Sequence, residues 1–167
     1  NAFLEVKKQY SDTLLFKKTL QVYQSLVMHN TDQKKILVIR HGAFGDIIKS
    51  LGAFKAIQDN LPHDQITLLT SPAFKGFCEK TGFFEKVLTD PRDRHLKSYL
   101  TITSQLRNEN FDRVYDLQGS KRTGRYFKIL NLRKKIKWSG NVNGCTFHQP
   151  FSKKKELHPY ERLADQL

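Results

Sequence analysis

Two stretches of the chain combine residue types that can do chemistry. The first is His41-Gly42-Ala43-Phe44-Gly45-Asp46, two glycines and a carboxylate directly after an apolar run. Glycine lets the backbone turn sharply and approach a ligand closely, and the helix expected next presents free N–H groups at its start. The spacing is neither G-x-G-x-x-G nor G-x-x-x-x-G-K-[ST], which excludes a plain dinucleotide loop and a P-loop. Asp46 has two readings: a helix cap that accepts orphan N–H groups, or a general base facing the site. A base here would take its proton late, once the attacking hydroxyl has become acidic.

The second stretch is Asp116-Leu117-Gln118-Gly119-Ser120-Lys121-Arg122-Thr123-Gly124-Arg125. Three cations after a strand and near a helix start can clamp phosphate or carboxylate groups. The same three are also compatible with a solvated helix face.

The elements that must position these residues follow from periodicity. Lys35 to Arg40 is a short run rich in β-branched residues, as expected of a buried parallel strand. A helix follows Asp46, with Ile47, Ile48, Leu51, Phe54, Ile57 and Leu61 on one face. Gln65 to Thr70 is the next strand, and Ser71-Pro72 opens a short helix. Lys86 to Thr89 is a strand ending at Asp90-Pro91, and residues 94 to 108 form a helix turning Leu96, Tyr99, Leu100, Thr103 and Leu106 inward. Asp112 to Leu117 is a strand, Thr123 to Leu132 a helix and Lys135 to Trp138 a last strand. A loop with Gly140, Gly144 and Pro150 precedes a helix over Glu156 to Leu167.

Strands alternating with helices imply an α/β fold, a Rossmann-like doubly wound parallel sheet. Its ligand site lies beyond the carboxyl ends of the strands. Those ends are His41 to Asp46, Thr70-Ser71, Asp90 with Arg92 and Arg94, Gln118 to Arg125, and Ser139-Gly140. Small, polar and basic residues therefore gather on one edge. Residues 1–34 read as an N-terminal helical extension and 35–167 as the sheet domain. In the extension, Phe16, Leu20, Tyr23 and Val27 recur at helical spacing, which suits a helix packed on the domain or a basic amphipathic membrane anchor.

The chain has 167 residues, enough for one domain with a substantial core. Its apolar runs are too short and interrupted to span a bilayer, and its opening does not read as a secretory signal. Cys78 and Cys145 make neither a metal-ligand spacing nor a disulfide framework, so two free thiols and no metal are expected. The net charge of +13 attracts anions: nucleic acid, phosphorylated sugars or an anionic membrane surface.

The two stretches together resemble the family 9 glycosyltransferases, the family of the lipopolysaccharide heptosyltransferases. Ile36 to Asp46 resembles that family's opening strand and glycine loop, and Ser50-Leu51-Gly52-Ala53-Phe54 its following helix. Phe111 to Gly119 is similar to its second signature. Trp138-Ser139-Gly140 and His158 through Glu161-Arg162 match weaker landmarks, so the resemblance runs from about residue 35 to 167. Gly52 stands where many relatives carry Pro, and the segment 3–29 precedes the family's usual start.

The resemblance implies a GT-B fold, two Rossmann-like domains facing each other, of which this chain is the N-terminal, acceptor-side half. It implies Asp46 as the base that deprotonates an acceptor hydroxyl for attack on ADP-heptose, with inversion, without metal or other cofactor, and with loss of ADP. Gly42, Ala43, Phe44, Gly45, Gln118 and Gly119 would shape the acceptor site. Lys49, Arg92, Arg94, Lys121, Arg122 and Arg125 would hold the acidic sugars and phosphates of the lipopolysaccharide inner core. The setting is then cytoplasmic, with peripheral contact at the anionic inner face of the inner membrane. The nucleotide-sugar domain is not in this sequence, and the chain stops inside a helical pattern. A piece of a longer enzyme, inactive alone, is expected.

Two other function classes compete. A non-catalytic module holding an anionic glycolipid or sugar phosphate would show the same edge and cations. A nucleic-acid binder would share the charge, but the sequence lacks a helix-turn-helix, a zinc finger and an aromatic RNA-binding signature.

Overall fold

The computed structural model describes residues 33–93, 95–132 and 134–148. The chain divides into two units, Asn1–Gln33 and Lys34–Leu167, and the sheet belongs to the second. The expected helices over 3–29 and 156–167 lie outside the described residues, as do His158, Glu161 and Arg162.

Among the described residues six strands form one sheet: β1 (Lys35–Ile39), β2 (Gln65–Thr70), β3 (Lys86–Thr89), β4 (Arg113–Asp116), β5 (Lys137–Gly140) and β6 (Phe147–His148). Their order is β3-β2-β1-β4-β5-β6, and every adjacent pair is parallel. This is the Rossmann-like, doubly wound α/β arrangement. Four α-helices accompany it among the described residues: α1 (Phe44–Asn60), α2 (Lys75–Lys80), α3 (Leu96–Glu109) and α4 (Lys121–Leu130). A 3-10 turn, Pro72–Phe74, leads into α2.

The period of two along the strands builds two cores. Ile36 and Val38 point into one with Ile47, Phe54 and Ile57 of α1 and Cys78 of α2. Leu37 and Ile39 point into the other with Ile102 and Leu106 of α3, Tyr126 and Leu130 of α4, and Trp138. Both faces of β1 are thus covered, and Ile36 to Ile39 are all at most 1% exposed. Burial of each such side chain contributes about 2 kcal/mol. That is why β1 reads as a continuous apolar run and not as an alternating one.

Several boundaries and faces differ from expectation. Helix α1 begins at Phe44, ahead of Asp46, because Ala43 is its N-cap and Asp46 sits at the third helical position. Ile48, expected on the buried face, is 39% exposed, while Ile47, Ala53, Phe54 and Ile57 carry the packing. In α3 the inward face is Ile102, Thr103 and Leu106; Leu96 and Leu100, expected inside, are exposed. The apolar residues of that helix outnumber those one face can hold, so periodicity alone points to a face rotated from the real one. Helix α4 starts at Lys121, two residues early, since Ser120 caps it: Ser120 Oγ accepts the Thr123 N–H, and Thr123 Oγ1 accepts the Ser120 N–H. Strand β5 runs later than expected, to Gly140. β6 lies in the stretch expected to be loop, its two pairings too short to leave a pattern.

Candidate functional site

β1 and β4 are spatial neighbours whose following helices, α1 and α4, pack on opposite faces of the sheet. The strand order reverses between them, which opens a crevice at their carboxyl ends. Into it run the loops Arg40–Ala43 and Leu117–Ser120, the two stretches singled out by residue type.

The loop after β1 is built around Gly42, whose φ of +34° favours glycine. A Cβ there would stand 2.6 Å from Asp46 Cβ and 2.9 Å from its Oδ2. Backbone and carboxylate are therefore in direct contact, and no side chain fits between them. Asp46 Oδ2 accepts the Ala43 N–H at 3.1 Å, one half of a capping box. Its Oδ1 lies 3.7 Å from Arg40 Nη2, and the Asp46 side chain keeps 44% of its exposure. Asp46 thus caps its helix through its own loop and still faces solvent at the crevice. The cap is therefore formed, and the remaining exposure leaves the carboxylate accessible.

Arg40 is tethered as well, Nη1 donating to the Leu117 carbonyl at 2.6 Å. Burial lowers its pKa, against the opposing pull of Asp46 and Asp116. Gln118 Oε1 accepts two successive backbone N–H groups, those of His41 at 3.0 Å and Gly42 at 3.1 Å. Gln118 is fixed in turn: its N–H and that of Gly119 both donate to Asp116 Oδ1, at 3.1 and 2.9 Å. Asp116 is fully buried. Burial raises its pKa, opposed by the Gly119 N–H, Thr123, the Gln118 N–H and His41.

The third strand end brings together Asp90, Arg92, His41 and Arg122, all expected on this edge, with Tyr126, which the sequence did not assign to it. Asp90, fully buried after β3, receives Arg122 bidentately: Nε to Oδ2 and Nη2 to Oδ1, both 2.7 Å. Tyr126 Oη donates to Oδ2 at 2.6 Å and the Arg92 N–H to Oδ1 at 2.9 Å. His41 Nε2 stands 3.4 Å from Oδ2, within ionic reach but off hydrogen-bond geometry. Burial pushes the Asp90 pKa up, but His41, Tyr126, the Arg92 N–H and Arg122 outweigh it and hold the carboxyl well below the usual range.

Arg122 further donates to the Asp93 carbonyl and lies over the Tyr99 ring. Expected as a free anion clamp, it is instead committed to an internal ion pair with a buried partner. Arg122 and Tyr126 are four apart on one helix face, so both reach the same carboxylate.

The remaining expected residues divide by exposure. Lys49, Arg92, Lys121 and Arg125 are exposed, as are Ala43, Phe44 and Gly45. Arg92 has φ +57°, uncommon for a residue with a side chain, and its N–H is held by Asp90. Gly119 shares that left-handed backbone. Arg94 lies outside the described residues.

Among the described residues five buried side-chain atoms lack a hydrogen-bond partner: Arg40 Nε, His41 Nε2, Thr70 Oγ1, Asp116 Oδ2 and Trp138 Nε1. Four of these residues lie at or just past the carboxyl ends of β1, β2 and β4, and Trp138 lies within β5. Also among the described residues, no three His, Cys, Asp or Glu side chains gather to hold a metal ion. No described helix is long and apolar enough to cross a membrane.

No family model and no curated protein matches the chain in sequence. Solved structures do match in fold. A family 9 glycosyl transferase from Veillonella parvula superposes with a TM-score of 0.68 at 18% identity, over 81% of this chain and 41% of that one. The E. coli heptosyltransferase WaaC, determined with ADP, gives 0.61 at 17% identity, over 79% and 45%. E. coli ADP-heptose lipopolysaccharide heptosyltransferase II gives 0.50 at 20% identity, over 64% and 30%. The chain spans less than half the length of each, and at these identities the likeness is one of fold.

Proposed function

We propose that this chain is the acceptor-side half of an inverting family 9 glycosyltransferase that moves heptose from ADP-heptose to the lipopolysaccharide inner core. The observation that carries the reading is Asp46: a half-exposed carboxylate at the switch point of a Rossmann-like sheet, held by Ala43 and Arg40. It lies among strand-end loops that carry exposed cations. Asp46 takes the proton of an acceptor hydroxyl as that oxygen attacks the anomeric carbon from the face opposite ADP. The bond to the diphosphate breaks, the configuration inverts and ADP leaves. No metal or other cofactor is invoked for this step.

Lys49, Arg92, Lys121 and Arg125 hold the phosphates and acidic sugars of the acceptor by charge-assisted hydrogen bonds. Arg94 belongs to the same group by its place in sequence. Gly119 and the Gln118 backbone shape the floor, the Gln118 side chain being turned to the glycine loop, and Arg122 serves from behind, fixing Asp90 and α4. On this reading the donor is bound by a second Rossmann-like domain, and the acceptor-side half does not turn over alone. Its place is cytoplasmic, at the anionic inner face of the inner membrane, and its polyanion is a glycolipid and not a nucleic acid.

The alternative is a module that binds an anionic glycolipid or sugar phosphate without reaction. Asp46→Asn in the full-length protein separates the two. On the enzyme reading it lowers turnover by about a thousandfold or more, the scale of losing a general base, while acceptor and donor affinities stay within a few-fold. Near-normal turnover contradicts a base at Asp46, and no turnover by the wild-type protein supports the binding module.

A further inference from the structure

Three consecutive backbone N–H groups, those of His41, Gly42 and Ala43, donate to side-chain oxygens and not to backbone. Gln118 Oε1 takes the first two, at 3.0 and 3.1 Å, and Asp46 Oδ2 the third, at 3.1 Å. Successive N–H groups around a left-handed glycine form a concavity that attracts negative charge. Here one amide oxygen from the β4 loop fills most of it. The shape of the glycine loop is therefore dictated from another strand end, and Asp46 is fitted against Gly42 so closely that no Cβ could intervene.

The grip has further points. Arg40 Nη1 donates to the Leu117 carbonyl, next to Gln118, while its Nη2 faces Asp46. The Gln118 and Gly119 N–H groups are both pinned to Asp116 Oδ1. Immediately after them, Ser120 caps α4 and Lys121 stands exposed at its first turn. The segment that presents Lys121 and Arg125 is thus the same one that holds the loop carrying Asp46.

We infer that Gln118 is a positioning residue: through its Oε1 it aligns the glycine loop, and with it Asp46, and so couples capture of an anionic acceptor at the β4 edge to alignment of the base. This rests on the function proposed above. A residue in this role acts on the reaction step and not on affinity. Gln118 itself then makes no energetically important contact with the acceptor, in contrast to Lys121.

The chemistry of the clamp requires an acceptor oxygen at this reach and nothing else of the side chain. Gln118→Glu retains it; Gln118→Met has the same length without it; Gln118→Asn has it one methylene short. In this chain, amide hydrogen exchange reads the clamp without any need for turnover. Gln118→Met is expected to speed exchange at His41 and Gly42 by roughly tenfold each, the scale of one ordinary hydrogen bond. The Gly119 N–H, bound to Asp116, stays protected. Gln118→Glu keeps both amides protected. If Gln118→Met does not fold, Gln118→Asn carries the same comparison. Unchanged exchange at His41 and Gly42 in the Met or Asn variant overturns the clamp.

In the full-length protein, Gln118→Met is expected to lower kcat about a hundredfold, as for a misplacement near 1 Å, with acceptor KM within about threefold and activity restored by Gln118→Glu. A raised KM with unchanged kcat, or a Glu variant as impaired as Met, overturns the positioning role. A wild-type protein without transferase activity refutes the proposed function and with it the role in catalysis, whereas the exchange result still decides whether the clamp exists.

Discussion

Asp90 and Asp116 stand at the carboxyl ends of β3 and β4, with β2 and β1 between them, and both are fully buried, yet they are opposite cases. Asp90 is surrounded by a bidentate arginine, a tyrosine hydroxyl, a backbone N–H and a nearby imidazole. Asp116 has two backbone N–H groups on one oxygen and no partner on the other. Burial alone raises the pKa of both. At Asp90 the partners win and the carboxyl is held far down; at Asp116 burial wins and the carboxyl is pushed up. The ionisation of a buried carboxylate is thus a balance between desolvation, deeper at Asp116, and the donors around it, more numerous at Asp90. The Asp90 side is a finished structural joint between β3, α4 and the glycine loop. The Asp116 side, with its unpaired oxygen beside Gln118, is the unfinished part of the same edge.

Breaking the joint has the larger expected effect. Asp90→Asn removes the counter-charge of Arg122 and is expected to cost about 3 kcal/mol by chemical denaturation at pH 7. That is the low end for a buried pair, since Arg122 is 20% exposed. Because the folded pKa of Asp90 is depressed, its contribution is fully present above the ordinary carboxylate value of about 4. It is lost as pH falls through the folded value. The deficit of Asp90→Asn therefore shrinks in acid, and a deficit independent of pH contradicts the ion pair.

Asp116→Asn keeps an acceptor for Gln118 and Gly119 and removes only the strained charge, so its stability at pH 7 should lie within about 1 kcal/mol of wild type. Here the sign reverses. The folded pKa is raised, so the penalty of ionising Asp116 is absent below about pH 4 and sets in as pH rises through the folded value. The variant gains on wild type as pH rises. A loss of several kcal/mol, or the opposite slope, would put Asp116 in the same class as Asp90.

The sheet was legible in the sequence because burial on both faces leaves strands with little but apolar residues, as in Ile36–Ile39, and because Pro, Gly and Ser mark their ends. Edges were not. β6 is two residues long and carries no periodicity, and the start of α1 was hidden because Phe44 and Gly45 look like loop residues until Ala43 is seen as the cap. Within the site, the carboxyl-edge loops could be found by topology alone, since the strand order sends them to one crevice. The pairing of Arg122 with Asp90 could not. Three cations close together look alike in sequence, and only the packing of α4 against the β3 end separates the buried one from exposed Lys121 and Arg125. Gln118 was legible as a polar residue at a strand end, but its grip on the glycine loop spans 77 and 76 residues of sequence and leaves no local trace.

The most direct test of the acceptor-half account is a calorimetric titration of this chain with a phosphorylated inner-core saccharide and, separately, with ADP-heptose. The account predicts that the saccharide binds, that Lys121→Ala and Arg125→Ala weaken it, and that ADP-heptose does not bind. Binding of ADP-heptose alone would assign this domain to the donor, and binding of neither would contradict the carboxyl edge as an acceptor site.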